Sequence, residues 1–382
     1  MKKFNTEKLY YGKYVDKCLR IIFYPFTKRK QQKPLSQIFP HTILVLEFHL
    51  IGDIIMSIPA LHALRKKYPH SKIVLVAGKW AKDLLEKQNL VDEIVVFSCP
   101  WSTYNYSLSN LWQLLKTLLY LRKMTWDVGI DMRGDLRNLL FLFFTKAKRR
   151  VSYNFTGGEY LLTDVIEARE DLQHIVEYRL HLVKQLGCSI EEKTPFLAVE
   201  NTDLEKAKEI LFFKEKKKYL IGIHPGASNP LRLWKPEYFA ELSTLLLKRN
   251  DIEVVFFYGQ KDIDIIENIK KYSKNSSMFI SQPLSLLPAL FKLCNIVVGL
   301  DSGAVHIASA VGTPTIVLFG PQNPEYTKPY SSNTTIVIKD GYECRPCNQD
   351  KCIQPLNNCM DAIDVNIIYN TIIKKMENNY AQ

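Results

Sequence analysis

At 382 residues, the chain is too long for one typical hydrophobic core, so two domains are expected. Its composition, 47% hydrophobic and 24% charged, is typical of a globular protein, and its apolar runs are too short to cross a membrane. The first residues lack the apolar core and cleavage site of a secretory signal, which favours a cytoplasmic protein. Eight cysteines in such a protein indicate thiols or metal ligands rather than a disulfide framework.

The net charge of +12 is concentrated in a basic N-terminal extension, residues 1–40. This extension contains ten Lys or Arg against Glu7 and Asp16, which amounts to +8. Aromatic and apolar residues lie between the charges, a pattern that can bind an anionic membrane surface. A solvated arm, or a helix packed on the body, fits the same pattern. Nucleic acid is not an expected partner, because no nucleic-acid-binding motif accompanies the charge.

After Pro40, strands and helices alternate. An apolar strand over 43–47 leads through a turn to Asp53, which is expected to begin a helix that Pro69 ends. Further strands and helices are predicted at 72–77, 79–89, 93–97, 109–123 and up to Asp131, and a helix at 174–186. This alternation predicts an α/β domain over 41–195, with a parallel sheet covered by helices on both faces.

Residues 196–218 are charged and lose the alternation, which indicates a linker before a second α/β domain over 219–382. The second domain contains the stretch 297–321, with a strand, a turn at 299–303, a helix over 304–310 and a strand over 315–319. Helix N-termini carry unpaired N–H groups and partial positive charge, so this turn suits a phosphate or diphosphate. An ordinary tight turn in a parallel sheet fits it too. Ligands of two such domains are expected in an interdomain cleft, beyond the carboxyl ends of the strands.

Several polar residues follow predicted strands of this second domain. Arg232 and Lys235, after the small-residue turn 222–228 that ends with Ser228, can neutralise a diphosphate. Asp262 or Asp264 can bind ribose hydroxyls, or either can simply cap the next helix. Asp301 can orient sugar hydroxyls or act as a cap, and His306 is either a ligand or a packed histidine.

Asp53 is the candidate catalytic residue. A carboxylate at the mouth of the first sheet can take a proton from an acceptor hydroxyl, as general base catalysis requires. A helix N-cap is the structural alternative for the same residue.

Four cysteines cluster near the C-terminus, at Cys344, Cys347, Cys352 and Cys359. Their spacing suits a structural zinc or iron–sulfur site, although the second Cys-x-x-Cys pair of a zinc ribbon is missing. Reduced thiols or a redox-formed bridge are the alternatives.

Five segments in order, at 50–69, 126–138, 174–187, 222–242 and 300–330, together resemble glycosyltransferase family 9, the ADP-heptose:lipopolysaccharide heptosyltransferases. They include LIGDIIMSIPALHALRKKYP, GIHPGASNPLRLWKPEYFAEL and LDSGAVHIASAVGTPTIVLFGP. The resemblance implies a GT-B fold of two doubly wound Rossmann-like domains and an inverting transfer from a nucleotide-activated sugar. No cofactor or metal is implied at the reaction centre.

The resemblance also implies residue roles. Asp53 matches the family's candidate general base, and Arg232 stands where the family usually has Lys in a Lys-x-Trp element that contacts donor phosphates. Residues 301–304, namely Asp301, Ser302, Gly303 and Ala304, match the loop that holds the diphosphate and sugar, and Asp262 falls near the ribose-binding acid. Glu47 stands where the family often has a basic residue, a departure that concerns acceptor recognition.

An anionic acceptor, such as a phosphorylated or Kdo-bearing lipid, would suit Arg133 and Arg137, together with Lys146, Lys148, Arg149 and Arg150, although a solvated basic face fits them too. The sequence therefore favours a glycosyltransferase at the inner face of the cytoplasmic membrane. It would use ADP-heptose and an anionic glycolipid of the lipopolysaccharide core. A GT-B enzyme with a UDP- or GDP-sugar, as transferase or epimerase, or a non-catalytic binding member are the alternatives.

Overall fold

The computed structural model describes residues 6–23, 33–103, 106–211, 218–273, 277–347 and 349–378. Residues 1–5 and 24–32 of the basic extension lie outside this part of the chain. The chain divides into two compact units, Met1–Lys193 and Thr194–Gln382. No helix within the described ranges combines the length and apolar character that a membrane span needs.

The first unit is built on one parallel sheet. Its six strands are β1 (Thr42–Glu47), β2 (Lys72–Ala77), β3 (Glu93–Val96), β4 (Val128–Asp131), β5 (Arg149–Ser152) and β6 (Asp164–Val165). They lie in the order β3-β2-β1-β4-β5-β6. The apolar run of β1 is buried on both faces, as expected for a central strand between two helical layers. The direction of the chain across the sheet reverses between β1 and β4, so the loops after these two strands meet there.

Seven α-helices of the described residues accompany this sheet. They are α1 (Thr6–Phe23), α2 (Ile51–Lys67), α3 (Lys79–Leu85), α4 (Pro100–Thr103), α5 (Leu108–Leu121), α6 (Leu136–Phe144) and α7 (Ile175–Gln185). Right-handed crossovers place α2 and α3 on one face and α5 and α6 on the other. The second face has its own buried cluster, which includes Leu44 and Leu46 of β1, Phe97, Trp126 and Leu142.

The second unit repeats this plan. Its strands are β7 (Tyr219–His224), β8 (Ile252–Phe257), β9 (Met278–Ile280), β10 (Ile296–Leu300), β11 (Thr315–Phe319) and β12 (Thr334–Ile338). All are parallel, in the order β12-β11-β10-β7-β8-β9. The reversal here falls between β7 and β10, so the loops after these strands are neighbours.

The helices of the second unit are α8 (Asn201–Ile210), α9 (Pro236–Leu247), α10 (Ile263–Tyr272), α11 (Leu287–Lys292), α12 (Gly303–Ala310), α13 (Pro324–Thr327) and α14 (Val365–Asn378). Trp234 is buried beside α9, and its indole N–H donates to the carbonyl oxygen of Ile363 at 3.1 Å. This contact ties the C-terminal segment to the sheet.

The predicted α/β class, with two doubly wound parallel sheets, is confirmed. Two local expectations are wrong. The helix at Asp53 begins at Ile51, so Asp53 lies inside its first turn. Gly299 and Leu300 continue strand β10 instead of opening the turn, which shortens the turn to Asp301 and Ser302. The segment 196–218 contains α8 and contacts α12, because the N–H of Leu197 donates to the carbonyl oxygen of Ala310 at 2.9 Å.

Candidate functional site

Asp53 lies where the reversal of the first sheet brings two loops together. It is in the first turn of α2, directly after the turn that follows β1, and Arg133 follows β4. The Nη1 atom of Arg133 lies 3.3 Å from Asp53 Oδ1. The side chain of Asp53 is 16% exposed and that of Arg133 is 31% exposed. The pair is therefore partly accessible to a ligand at the carboxyl end of the sheet.

Asp53 is not the N-cap residue considered as its alternative, because Leu50 has that position, but it caps the helix from the third helical position. Its Oδ2 atom accepts a hydrogen bond of 3.3 Å from the N–H of Leu50, which precedes α2. This contact satisfies one of the backbone donors that a helix start leaves unpaired. This hydrogen bond fixes the direction of the carboxylate. Its other oxygen, Oδ1, contacts Arg133 and Arg179.

Arg179 of α7 holds Asp53 from the interior. Its side chain is fully buried. The Nη1 atom donates to the backbone carbonyl of Asp53 at 2.8 Å, and Nη2 lies 3.2 Å from Asp53 Oδ1. The same Nη2 lies 2.6 Å from Oε2 of Glu47. Because a buried guanidinium needs anionic partners, Arg179 fixes both the backbone and the carboxylate of Asp53.

Glu47, at the end of β1, is the buried counter-ion of Arg179. Burial opposes ionisation of this carboxyl, but the positive charge of Arg179 and a hydrogen bond with His49 outweigh it and lower its pKa to about 2. Glu47 is therefore ionised at neutral pH. Burial, with the nearby charge of Arg133, lowers the pKa of His49, so this imidazole is neutral. Where the family often has a basic residue, this chain thus has an anion that is turned inward.

Asp131, at the end of β4, is a second buried carboxyl. It accepts hydrogen bonds from the N–H of Gly134 at 2.6 Å, from Asn138 Nδ2 at 2.8 Å and from Ser152 Oγ at 3.0 Å. Burial raises its pKa to about 7 in spite of these donors, and the charge of Glu47 adds to the increase. Its side chain has no exposed surface, so it organises the loop rather than meeting a substrate.

The predicted acceptor-binding residues have different partners. Arg133 contacts Asp53, whereas Arg137 pairs with Asp135 through two hydrogen bonds of 2.9 and 2.6 Å. The side chain of Arg137 is nevertheless 45% exposed. Of the other basic residues, Lys148 pairs with Asp127, Arg149 with Asp164, and Arg150 donates to the carbonyl oxygens of Leu161 and Ala147. Most of this basic set therefore stabilises loops.

In the second unit, the turn between β10 and α12 forms the start of a buried helix. Ser302 is its N-cap residue, and Gly303 and Ala304 form the first helical positions. Within the described residues, the buried Oγ atom of Ser302 has no hydrogen-bond partner. The backbone donors of this helix start and the Ser302 hydroxyl are the groups that an anionic ligand needs.

Arg232 and Asp301 are brought together from the two loops at the reversal of the second sheet. Arg232 Nη1 lies 3.1 Å from Asp301 Oδ2 and donates to the Asp301 carbonyl oxygen at 3.2 Å. Its Nε donates to Oε1 of Gln349 at 2.6 Å. Gln349 also accepts, through its carbonyl oxygen, a 3.1 Å hydrogen bond from Asn229 Nδ2. The cysteine-rich segment therefore fixes the direction of Arg232.

Asp262 lies beside the small-residue loop after β7. Its Oδ2 accepts from the N–H of Gly259 at 2.9 Å, and its carboxylate lies 3.8 Å from Nε2 of His224. A Cβ atom on Gly226 would come within 2.0 Å of Asp262 Oδ1. A side chain at 226 would therefore displace the carboxylate, and glycine allows the loop and the carboxylate to approach each other.

The remaining predicted donor-binding residues are placed differently. Lys235 Nζ lies 3.4 Å from Asp361 Oδ2 and over the ring of Tyr238, so its contacts differ from those of Arg232. Ser228 is exposed on the loop after β7. His306 is buried in α12, 4% exposed, which fits the packed-histidine alternative. A donor-binding role for these three residues stays a prediction.

The four clustered cysteines form no disulfide bond in the described structure. Burial raises the pKa of Cys359; Arg345 opposes this, while the thiols of Cys347, Cys344 and Cys352 add to it. Within the described ranges, however, no group of three or more Cys, His, Asp or Glu is arranged to hold a metal ion. Cys359 and Met360 pack closely around Gly320, just after β11. Cys359 therefore has a packing role in the described structure.

Sequence reasoning did not identify Arg179, Asp131 or Gln349 as parts of these sites. One signal was available for Arg179, because it lies among Val176, Leu180 and Val183 on the buried side of α7. An arginine in an apolar helical stripe requires a buried carboxylate, and Glu47 at the end of an apolar strand was a candidate. Gln349 lies in an irregular loop whose pattern predicts no contact.

Comparisons with known proteins show what the chain is similar to. The family model of "Glycosyltransferase family 9 (heptosyltransferase)" matches residues 114–357. The chain is 27% identical to lipooligosaccharide heptosyltransferase 2 of Haemophilus influenzae over 312 residues, which cover 77% of this chain and 88% of that protein.

Solved structures share the fold. A family 9 glycosyltransferase from Veillonella parvula has a TM-score of 0.75 at 21% identity, over 91% of this chain and 99% of that one. The ADP-heptose lipopolysaccharide heptosyltransferase II of E. coli has a TM-score of 0.72 at 20% identity, over 89% and 99%. Both matches extend over both units of the chain.

Proposed function

The chain belongs to glycosyltransferase family 9, and on that premise we propose that it transfers heptose from ADP-heptose onto the lipopolysaccharide core or a related surface glycan. It is a glycosyltransferase; the donor, the acceptor and the residue roles are the proposal. The relatives support this choice, because the H. influenzae protein is a lipooligosaccharide heptosyltransferase and the E. coli structure is an ADP-heptose enzyme.

The observation that carries the proposal is the Arg232–Asp301 pair beside the start of α12. Arg232 supplies a fixed guanidinium for the diphosphate, and the backbone N–H groups at 303 and 304 supply further donors. The Ser302 hydroxyl, which has no partner among the described residues, adds one more. Asp301 is assigned to the sugar hydroxyls and Asp262 to the ribose.

In the proposed step, Asp53 takes the proton of the acceptor hydroxyl as its oxygen bonds to the anomeric carbon. The bond from that carbon to the diphosphate oxygen breaks on the opposite face, and its electron pair leaves with ADP. The configuration is therefore inverted. Preorganised donors around Arg232 stabilise the charge that develops on the leaving group. The step uses only side chains and backbone of this chain.

Arg133 is the proposed contact for an anionic acceptor. It is partly exposed, and it lies beside the proposed base at 3.3 Å. An acceptor phosphate or carboxylate that binds Arg133 would thus bring a hydroxyl towards Asp53. Arg137, which is bound to Asp135, is assigned a lesser role through the exposed part of its guanidinium. The acceptor is lipid-linked, so we place the enzyme at the cytoplasmic face of the inner membrane.

A panel of nucleotide sugars tests the donor. The melting temperature of the full chain is measured with ADP-heptose, UDP-glucose and GDP-mannose at equal concentrations, since a ligand that binds the native state stabilises it. The proposal predicts stabilisation by ADP-heptose that an Arg232→Ala variant loses. Stabilisation by a UDP- or GDP-sugar alone would remove heptose from the proposal and favour another GT-B activity.

A structural metal at the four cysteines stays a prediction of the sequence, and the geometry of the described residues lends it no support. Metal analysis of the purified chain and of a Cys344→Ser variant tests it. One equivalent of zinc or iron that the variant loses would establish the site. Metal-free protein with an unchanged melting temperature would leave these thiols as packing residues.

A further inference from the structure

Three helices of the first unit, α1, α5 and α6, lie on one face of its sheet. The crossovers from β3 to β4 and from β4 to β5 place α5 and α6 there. Leu114 and Leu118 of α5, Phe143 of α6 and Phe23 of α1 pack against the same buried cluster. The rings of Phe23 and Phe143 are 5.3 Å apart, edge to face. The outer surface of this layer is called the α1–α5 face.

The α1–α5 face is apolar where a surface helix is normally polar. Besides its inward residues, α5 exposes a second apolar stripe at helical spacing: Leu108, Leu111, Trp112, Leu115 and Leu119. Leu108 is 82% exposed and Trp112 is 62% exposed. Ile21 and Ile22 of α1 and Phe144 at the end of α6, two helices of the same layer, are also exposed. A globular protein rarely leaves so large an apolar surface uncovered.

The exposed charges of α5 are positive, whereas Arg20 of α1 is paired with Glu159. The sequence has no Asp or Glu between Glu93 and Asp127, and the exposed charges of that stretch are Lys116, Arg122 and Lys123. On α1, Asp16 is turned towards the body, where its Oδ1 accepts from the N–H of Gly158 at 2.7 Å. Lys17 of α1 is exposed.

The exposed apolar stripe and the basic residues beside it favour one partner for this face, a lipid bilayer. A bilayer with anionic headgroups accepts leucine and isoleucine at its acyl boundary, tryptophan at the interface and lysine or arginine at the headgroups. A second copy of this chain would instead bring two faces with like charge together, which opposes association.

We propose that the α1–α5 face docks on an anionic lipid bilayer. This inference rests on the proposed function only in its use of a lipid-linked acceptor. Docking through this face holds the unit that contains Asp53 and Arg133 at the surface where such an acceptor is embedded. The stripe on α5, rather than the basic extension alone, supplies the apolar part of the binding.

Vesicle co-sedimentation of the full chain tests the proposal. The wild type is expected to bind vesicles of phosphatidylcholine with phosphatidylglycerol, and to bind phosphatidylcholine alone at least tenfold more weakly. The double variant Trp112→Glu/Leu115→Glu is expected to lose roughly tenfold or more of the affinity for anionic vesicles, since two apolar groups no longer enter the interface. The matched control is Ile367→Glu on α14, because Ile367 is also an exposed apolar helix residue, 47% exposed, in the second unit.

A charge variant gives an independent result if the double variant folds poorly. Lys116→Glu/Lys123→Glu is expected to weaken binding to anionic vesicles on the order of tenfold and to reduce its salt dependence. Melting temperatures verify that each variant is folded. Binding that is equal for the wild type and both variants, or absent for the wild type, would overturn the proposal.

Two further measurements separate this proposal from its rivals. A concentration-dependent dimer that Trp112→Glu/Leu115→Glu abolishes, without vesicle binding by the wild type, would assign the face to a second copy and overturn the proposal. Heptose transfer onto a deacylated, water-soluble acceptor is expected to be unchanged in the double variant. If the enzyme transferred heptose from no donor but still bound anionic vesicles, the proposed function would be contradicted and the docking proposal would be supported.

Discussion

Arg179 and Asp53 are joined twice, because one guanidinium nitrogen donates to the backbone carbonyl of Asp53 at 2.8 Å and another lies 3.2 Å from its carboxylate. The second nitrogen also binds Glu47 at 2.6 Å. The proposed base is therefore held by a fully buried cation that is itself neutralised at the end of β1. The position of Asp53 therefore depends on Arg179, and the buried charge of Arg179 depends on Glu47.

Removal of one partner of the buried Glu47–Arg179 pair is expected to destabilise the first unit strongly. Glu47→Gln and Arg179→Met should each cost about 3–5 kcal/mol, because each leaves the other charge buried without its partner. The double variant should recover part of this loss, which denaturant unfolding of the four proteins would measure. Transfer activity should stay low in the double variant, since the two contacts of the buried guanidinium with Asp53 are then lost. Additive losses of stability would contradict the coupling.

Asp131 should make stability depend on pH in the opposite sense to Glu47. Its pKa is raised to about 7 in the folded chain, so the folded state retains a proton that the unfolded state releases above its pKa near 4. The contribution of Asp131 is therefore complete below pH 4 and is lost as pH rises to about 7. It amounts to roughly 4 kcal/mol at most for a shift of this size.

An Asp131→Asn variant tests this dependence. The melting temperature of the wild type, relative to that of the variant, should be higher at pH 5 than at pH 8. Glu47, whose pKa is lowered to about 2, contributes stability above pH 4.5 that is lost below it, so it does not vary over this range. An equal difference between the two proteins at both pH values would show that Asp131 does not titrate there.

Gln349 is expected to act on donor binding through Arg232. Gln349→Ala removes the acceptor of the 2.6 Å hydrogen bond from Arg232 Nε. Loss of one charge-assisted hydrogen bond, about 1.5–3 kcal/mol, should raise the donor KM roughly tenfold or more while acceptor KM is unchanged. Gln354→Ala, in the same segment, is the control. Equal donor KM values for both variants would exclude this role.

Local pattern was sufficient to predict the sheets and several site residues. Alternating apolar strands and amphipathic helices predicted both α/β halves, and the turn after β10 indicated Asp301 and Ser302. Asp53 and Arg232 were identified from their place after predicted strands and from the resemblance to the family. Each of these signals is contained within a short stretch of sequence.

The rest of the site depends on contacts between distant segments. Arg179 meets Glu47 across 132 positions, and Arg232 meets Gln349 across 117. Such pairs follow from the order of strands in the sheet and from how loops fold back, which periodicity does not specify. Three of the four basic residues from 146 to 150 are likewise bound to carboxylates or carbonyl groups that the pattern did not predict, and their acceptor role stays a prediction.

The most direct test of the proposed chemistry is the rate of heptosyl transfer by Asp53→Asn at saturating ADP-heptose and acceptor. Glu177→Gln is its matched control, because Glu177 caps the start of α7 as Asp53 caps the start of α2. General base catalysis predicts that kcat falls by about 10²–10⁴ in Asp53→Asn, with donor affinity unchanged, while Glu177→Gln retains its rate. Transfer by Asp53→Asn at the rate of the control would contradict the assignment of Asp53 as the base.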